Sequence, residues 1–101
     1  MNLIYLEEAR CELLDSVAYY NACAEGLGYQ FYAEVQAGED AILRMPEASV
    51  RVAGGYRRKL LNRFPYGLVY HPVTDDTLEI VAVMHLHREP DYWRGRGEGS
   101  K

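Results

Sequence analysis

The sequence predicts an α+β fold in which an N-terminal helical hairpin packs on one face of a mostly antiparallel sheet. Between residues 6 and 45, apolar side chains recur every three or four positions, which is typical of amphipathic helices. After residue 55, short runs bounded by glycine, proline and aspartate are typical of strands. The last run is apolar on both faces, which indicates a central strand that is covered on both sides. The predicted order of elements is therefore β-α-α-β-β-β.

The first strand and the first helix are predicted from the N-terminal quarter of the chain. Residues 2–6, NLIYL, form a short apolar segment of the strand type. The apolar stripe that follows is spaced by three and four positions and predicts a helix. Its members are Leu6, Ala9, Leu13, Val17, Tyr20 and Ala24. Acidic residues cluster near the start of this helix, where the helix dipole stabilises negative charge.

A second helix is predicted after the break at residues 25–28, EGLG. Its apolar stripe again has spacings of three and four. The members are Phe31, Val35, Gly38, Ile42 and Met45, and Pro46 ends the helix. Because the connection is short and rich in glycine, the two helices are expected to run antiparallel as a hairpin.

Three further strands are predicted at residues 56–64, 66–73 and 78–86, with turns at Phe64-Pro65 and at residues 74–76. A short terminal helix is predicted around Asp91 to Arg94. The glycines and charges of residues 95–101 indicate a flexible tail. We therefore expect a single domain at residues 1–94, a size that allows one hydrophobic core.

Composition excludes several classes of protein. No apolar run approaches the roughly 18–20 residues of a membrane-spanning helix, and the first ten residues carry acids where a signal peptide has basic residues. A cytoplasmic protein without membrane contact is expected. Cys11 and Cys23 fall in one predicted helix, so reduced thiols in the core are expected rather than a disulfide. No cofactor is predicted.

Charge is divided unequally along the chain. Residues 1–50 carry nine acidic and two basic side chains, whereas residues 51–101 carry nine basic and six acidic ones. The net charge of −4 and the pI near 5.3 are not those of a general nucleic-acid-binding protein. Any contact with phosphate must therefore be local and involve the second half of the chain.

Two motifs give the sequence a family resemblance. They are Arg63-Phe64-Pro65-Tyr66 and the segment His87–Trp93, which reads HREPDYW, and both follow the helical hairpin. With the opening YLEEARCELLDSVAYY and the GLGYQFYAEVQAGEDAILRMPE segment, residues 2–94 resemble the RelE/ParE superfamily of toxins from bacterial type II toxin–antitoxin systems, also called plasmid stabilisation proteins. The resemblance implies a growth inhibitor that is neutralised by a cognate antitoxin, whose disordered tail folds over the toxin.

The family contains two mechanisms, and its fold does not choose between them. RelE-like members are ribosome-dependent messenger-RNA endonucleases, which need a base, an acid and cations that stabilise the charged phosphorane. On that interpretation the candidate catalytic residues are Arg63, His87, Arg88 and Tyr92. Arg63 and Arg88 would stabilise charge, His87 would be the base or acid, and Tyr92 would stack or relay a proton.

ParE-like members are inhibitors of DNA gyrase and have no hydrolytic step, so whether the chain is an enzyme stays open. The residues expected to contact the target or a nucleic acid are Arg57, Arg58, Lys59, Arg63, Arg88 and Trp93. Of these, Arg57, Lys59 and Arg63 alternate onto one side of their predicted strand. The acidic pI favours gyrase over the ribosome as the target.

Structural roles compete with each of these assignments. Strand arginines often lie on a solvated face, His85 is in line with Val81 and Val83 as a core or half-buried histidine, and the aromatic pair at 92–93 can cap the core. His85 and His87 have the spacing of two metal ligands, but no third ligand is evident, so no metal site is predicted. A third alternative is an inactive binding module that keeps the fold.

Overall fold

Two long helices and a five-stranded sheet form the part of the chain that the computed structural model describes, residues 1–96. The elements in chain order are β1 (Asn2–Tyr5), α1 (Glu7–Cys23), α2 (Leu27–Arg44), β2 (Val50–Arg51), a 3-10 turn (Ala53–Gly55), β3 (Arg57–Leu60), β4 (Tyr66–Thr74) and β5 (Thr77–His85). The strand order is β1-β5-β4-β3-β2. Strand β1 is parallel to β5, and the other neighbours are antiparallel. The predicted α+β fold is therefore confirmed.

The helical hairpin turns through Gly26, whose φ of 80° is a left-handed conformation that glycine adopts without strain. The second helix starts immediately after it, and its Gly28 N–H donates to Asn21 Oδ1 of the first helix at 2.7 Å. The stripe of α2 packs as the periodicity predicts as far as Ile42, with Phe31, Val35 and Ile42 fully buried. The prediction that Met45 is its last member is wrong, because the helix ends at Arg44 and Met45 is exposed. The hairpin thus covers one face of the sheet.

Strand β5 has β1 and β4 on its two sides and carries a bulge that changes which face its residues occupy. Tyr70 pairs with Ile80 and Val69 pairs with Ala82, so that Val81 is the extra residue. Val81 packs in the core on the face away from the helices, whereas Val83 packs beneath them. The prediction that Val81 and Val83 share a face is therefore wrong, because a one-residue bulge reverses the alternation.

Both faces of β5 are covered, as its apolar sequence predicts. The core beneath the helices contains Leu68, Ile80 and Val83, among others. A second core lies on the opposite face and is closed by the C-terminal turns; its buried members are Tyr56, Val69, Val81, Ala82, Met84 and Trp93. The sheet therefore presents no open face along its central strands.

Three larger differences separate the predicted elements from the observed ones. The strand predicted at 56–64 ends at Leu60, because residues 61–65 turn and the Leu61 N–H donates to Tyr66 O. Strand β2 was not predicted, since two residues carry no pattern of their own. The predicted helix at 91–94 is wrong, because residues 90–96 form successive turns, in which Gly95 has a left-handed φ of +90°.

Two composition-based predictions concern single residues and segments. Cys11 and Cys23 are free thiols, as predicted, but both are exposed, so the prediction that they belong to the core is wrong. Within residues 1–96, no helix combines the length and the apolar character needed to cross a bilayer. From residue 97 onward, the predicted flexible tail lies outside the described residues.

Candidate functional site

A small cleft lies where β5 ends against helix α1, next to the start of the HREPDYW motif. It has a volume of about 210 Å³. Its lining residues are Glu12, Asp15, Ser16, Tyr66, Val83, His85 and Arg88. The loop that carries the RFPY motif reaches the same end of the sheet, because the Leu86 N–H donates to Pro65 O at 2.9 Å. Both motifs therefore meet at one edge of the molecule.

His85, and not His87, lines this cleft. Its ring packs edge-on against Tyr66 at 5.0 Å between centroids, and its Nδ1 accepts the backbone N–H of His87 at 3.1 Å. Because Nδ1 is an acceptor, the neutral ring carries its proton on Nε2. The ring of His87 is exposed and lies 4.9 Å from that of His85. The predicted base His87 is thus beside the cleft, and His85 is the histidine inside it.

Arg88 and Tyr92 are joined by a cation–π contact. The guanidinium carbon of Arg88 lies 3.8 Å from the centre of the Tyr92 ring. The Tyr92 hydroxyl donates to Glu12 Oε2 at 2.8 Å. Burial, that hydrogen bond and the charge of Glu12 all raise the pKa of Tyr92. The phenol is therefore a weak acid whose proton is already engaged, which disfavours the predicted proton relay.

Arg63 lies in the loop after β3 rather than on the strand. Its Nη2 donates to Gln30 Oε1 at 2.9 Å, and its guanidinium carbon is 5.8 Å from the centre of the Phe64 ring. The prediction that Arg63 continues the strand alternation of Arg57 and Lys59 is wrong, because the strand ends three residues earlier.

The basic residues of β3 occupy both faces of the sheet. Arg57 and Lys59 lie on the side of the helices, because they pair with Tyr70 and Leu68 of the core beneath them, and Arg57 Nη1 donates to Ser49 O at 2.9 Å. Arg58 lies on the opposite side, packed over Gly67, and its buried Nε has no hydrogen-bond partner among residues 1–96. The side chain of Arg58 therefore lies on the other face of the sheet from those of Arg57 and Lys59.

Trp93 is a core residue in the structure. Its side chain is 2% exposed, its indole N–H donates to Pro90 O at 2.8 Å, and its ring lies 4.9 Å from Tyr56. An indole that is enclosed in this way has no surface to offer to a target, so the residue serves to fix the C-terminal turns on the sheet.

A second concave surface, the α2–β3 groove, separates the end of helix α2 from strand β3. It has a volume of about 440 Å³ and continues into a smaller cavity of about 280 Å³. Residues that line both parts are Ala41, Arg44, Lys59, Leu60 and Asn62. Around it, Met45, Val50 and Leu60 are 65%, 63% and 45% exposed. Exposed apolar side chains that are grouped around a concave surface are typical of surfaces that bind other molecules.

The edge of β3 is only partly covered beside this groove. Strand β2 pairs with Arg57 and Arg58 and leaves Lys59 and Leu60 without a strand partner on that side in the described part of the chain. Unpaired backbone groups at a strand edge can take an added strand. The groove and the open edge together can accept an extended peptide.

Sequence reasoning missed Glu12 and Arg96, which form an ion pair at 2.9 Å with both side chains less than one-fifth exposed. One signal was available for Glu12, which adjoins the buried Ala9 and Leu13 and has no basic residue three or four positions away. Such a carboxylate needs a distant partner. Within residues 1–96, no group of three or more His, Cys, Asp or Glu side chains is placed to hold a metal ion.

Comparison with known proteins finds a likeness of structure and none of sequence. A chain of the solved structure "Chromosomal ParDE TA system from P. aeruginosa" superimposes with a TM-score of 0.74, covering 86% of this chain and 97% of that one. The fold is RelE/ParE-like. Sequence identity with this chain is 13%, so the likeness is one of fold. No protein-family model matches the sequence, and no curated protein matches it significantly.

Proposed function

We propose that this protein is the toxin of a type II toxin–antitoxin system that acts in the cytoplasm as a ParE-like inhibitor of DNA gyrase, without a hydrolytic step. The observation that carries the toxin assignment is the shared fold with a chain of a ParDE system over nearly the whole length of both. The two family motifs meet at one end of strands β4 and β5, and this arrangement supports the toxin assignment.

The choice of gyrase over messenger RNA is supported by the placement of the candidate catalytic groups. The Tyr92 phenol is engaged by Glu12, Trp93 is buried, and the cations of β3 lie on two faces of the sheet. A nuclease site needs several charged groups that converge on one phosphate. Inhibition by protein contact needs only an exposed surface, and Arg88 is exposed at the exit of β5.

Inducible expression in a bacterial host, with two readouts, tests this function. We expect growth arrest, loss of gyrase-dependent plasmid supercoiling and intact messages. Arg88→Ala should relieve the arrest, because it removes the exposed cation of the motif. Arg10→Ala is the matched control, since Arg10 is exposed on α1 and pairs only locally with Glu7. Growth at the normal rate with wild-type protein would refute the toxin function and leave the inactive binding module.

The antitoxin is the partner that fits the α2–β3 groove. An extended antitoxin segment would pair with the open edge at Lys59 and Leu60, place apolar side chains against Met45 and Leu60, and place acidic side chains near Arg44 and Lys59. A charge reversal at Lys59 (Lys59→Glu) should therefore weaken antitoxin binding about ten-fold or more, with Arg10→Glu as control. Equal affinity of the wild-type and Lys59→Glu proteins in a calorimetric titration would place the antitoxin elsewhere.

A RelE-like endonuclease is the second candidate, favoured by the His85 ring in the cleft beside Arg88. If purified ribosomes support message cleavage by this protein, His85→Gln should abolish it and His87→Gln should preserve most of it. Cleavage that depends on His87 instead would show that the neutral Nε2–H ring of His85 is a structural group. Absence of cleavage with intact inhibition of gyrase would exclude this candidate.

A further inference from the structure

The edge of β5 beyond the end of β1 is closed by side chains rather than by a strand. Strand β1 ends at Tyr5, and its last bond to β5 runs from the Leu6 N–H to Ile80 O at 2.9 Å. The next backbone groups on this edge are Val81 C=O and Val83 N–H. Arg96 Nη1 donates to Val81 O at 2.9 Å, and Glu12 Oε1 accepts the Val83 N–H at 3.0 Å. Helix α1 and the C-terminal segment therefore meet at this edge.

The Glu12 carboxylate is the centre of this arrangement. Each of its two oxygens accepts two hydrogen bonds: Oε1 from the Val83 N–H and Arg96 Nη1, and Oε2 from Arg96 Nη2 and the Tyr92 hydroxyl. A carboxylate that is four-fifths buried and fully hydrogen-bonded has one orientation open to it. Glu12 thereby joins α1, β5 and the C-terminal segment at one point.

The same carboxylate acts on Arg88 through the ring of Tyr92. The guanidinium carbons of Arg88 and Arg96 lie 3.8 Å and 4.9 Å from the centre of that ring. Glu12 binds the hydroxyl of the ring and, separately, the second guanidinium. The Tyr92 ring is thus a fixed platform, and Arg88 is the one of its two cations that is exposed.

We propose that Glu12 is the positioning residue of residues 86–96, and that it holds the Tyr92 ring so that Arg88 is presented to the toxin target. This inference rests on the proposed function. It assigns to Glu12 no contact with the target, since its oxygens are all engaged within the chain. The α2–β3 groove, to which we assign the antitoxin, lies on the other side of the sheet order, beside β3. Target contact and antitoxin binding therefore depend on different residues.

The test compares wild type, Glu12→Gln, Tyr92→Phe and the control Glu7→Gln, in the full chain. Glu7 lies on the same helix but pairs with the exposed Arg10, away from the C-terminal segment. The structural readout is the NMR resonance of the Arg88 side chain, which the Tyr92 ring current displaces. We expect that displacement to be lost in Glu12→Gln, reduced in Tyr92→Phe and kept in Glu7→Gln.

The functional readouts are supercoiling of relaxed plasmid by purified DNA gyrase and the affinity for the antitoxin. If residues 86–96 of the Glu12→Gln protein are in place about a tenth of the time, the concentration of this variant that inhibits gyrase by half should be about ten-fold higher than that of wild type. Antitoxin affinity should stay at the wild-type value, which a general loss of structure would not allow. Tyr92→Phe keeps the ring and the ion pair, so it carries the test if Glu12→Gln does not fold.

Three outcomes would overturn the inference. One is a folded Glu12→Gln protein, or a Tyr92→Phe protein, whose Arg88 resonance is unchanged. Another is a variant in which the Arg88 resonance is no longer displaced but gyrase is inhibited as strongly as by wild type. The last is a variant that loses gyrase inhibition and antitoxin binding to the same extent. Wild-type protein that inhibits neither gyrase nor the ribosome would refute the proposed function and the target contact with it, whereas the resonance comparison still decides whether Glu12 positions Arg88.

Discussion

Replacing Gly28 with alanine would test how closely the two helices of the hairpin must approach. A Cβ atom at this position would lie 2.1 Å from the backbone oxygen of Val17 and 2.7 Å from Cγ of Asn21. Since carbon and oxygen atoms do not approach so closely, the helices would have to separate by about 1 Å in a close-packed interior. The 2.7 Å bond from the Gly28 N–H to Asn21 would lengthen as they part.

Opposing effects determine how much the free energy of unfolding changes in Gly28→Ala. Alanine is better than glycine inside a helix by about 1 kcal/mol, which favours the variant. Overpacking costs about 1–3 kcal/mol, and here the upper end applies because the obstacle is backbone and cannot rotate away. Weakening the hydrogen bond adds about 1 kcal/mol. We therefore expect the free energy of unfolding to fall by about 3 kcal/mol and Tm by roughly 10–20 °C.

Urea unfolding, followed by the fluorescence of the single tryptophan, measures this change. Gly38→Ala is the control, because its Cβ would lie 3.1 and 3.2 Å from methyl groups of Leu68 and Leu61, which can move. There the gain in helix propensity offsets most of the crowding, and the expected change is within about 1 kcal/mol of zero. A Gly28→Ala protein as stable as wild type, or one more stable than Gly38→Ala, would refute the close approach of the helices.

Three further predictions concern other parts of the molecule. Trp93→Ala should lower the free energy of unfolding by about 3–5 kcal/mol in calorimetry, because the ring fills the core on the face away from the helices; a change below 1 kcal/mol would contradict that burial. Burial and the neighbouring Tyr66 hydroxyl raise the pKa of Tyr20 to about 12 from an ordinary value of 10.0, so its contribution to stability is complete below pH 10 and is lost as the pH rises through 12. Urea midpoints between pH 9 and 12 should accordingly fall less steeply in Tyr20→Phe, and equal slopes would argue against this cause. Partial desolvation of the exposed Cys11 thiol and the neighbouring carboxylate of Glu7 raise the pKa of Cys11. Glu7→Gln should therefore speed its alkylation by iodoacetamide at pH 8, and an unchanged rate would count against the electrostatic effect.

The regular elements could be predicted from sequence because their packing follows local periodicity. Phe31, Val35 and Ile42 are fully buried, as their helical spacing predicts, and the apolar β5 is covered on both faces. The bulge at Val81 could not be predicted, since it depends on how β4 pairs with β5 rather than on any residue type in β5. The same holds for β2, whose two residues become a strand only through the edge of β3.

The site was less accessible to sequence reasoning because its contacts join distant parts of the chain. Arg88 and Tyr92 were both identified, but the partner that fixes Tyr92 is 80 positions away on α1. Arg96 was assigned to the tail, although it pairs with Glu12 across 84 positions. The prediction of a core or half-buried His85 is confirmed, since the residue is half-buried, but the alternation on which it rests is interrupted by the bulge. Charge and spacing could locate the segment, but only the fold could show which of its side chains are free.

The HREPDYW motif therefore contains residues that hold the C-terminal turns in place and one residue, Arg88, that is exposed on them. Trp93 fixes the turns in the core, and Tyr92 is held by Glu12. Arg88, exposed above the Tyr92 ring, is the cation that remains available. Acid–base cleavage of RNA would need a base from outside the motif, His85, which lines the cleft beside Arg88. An arginine on a rigid aromatic platform needs no second group and is a frequent anchor of protein–protein contacts. The construction of the motif thus favours binding to a protein target over cleavage of a nucleic acid.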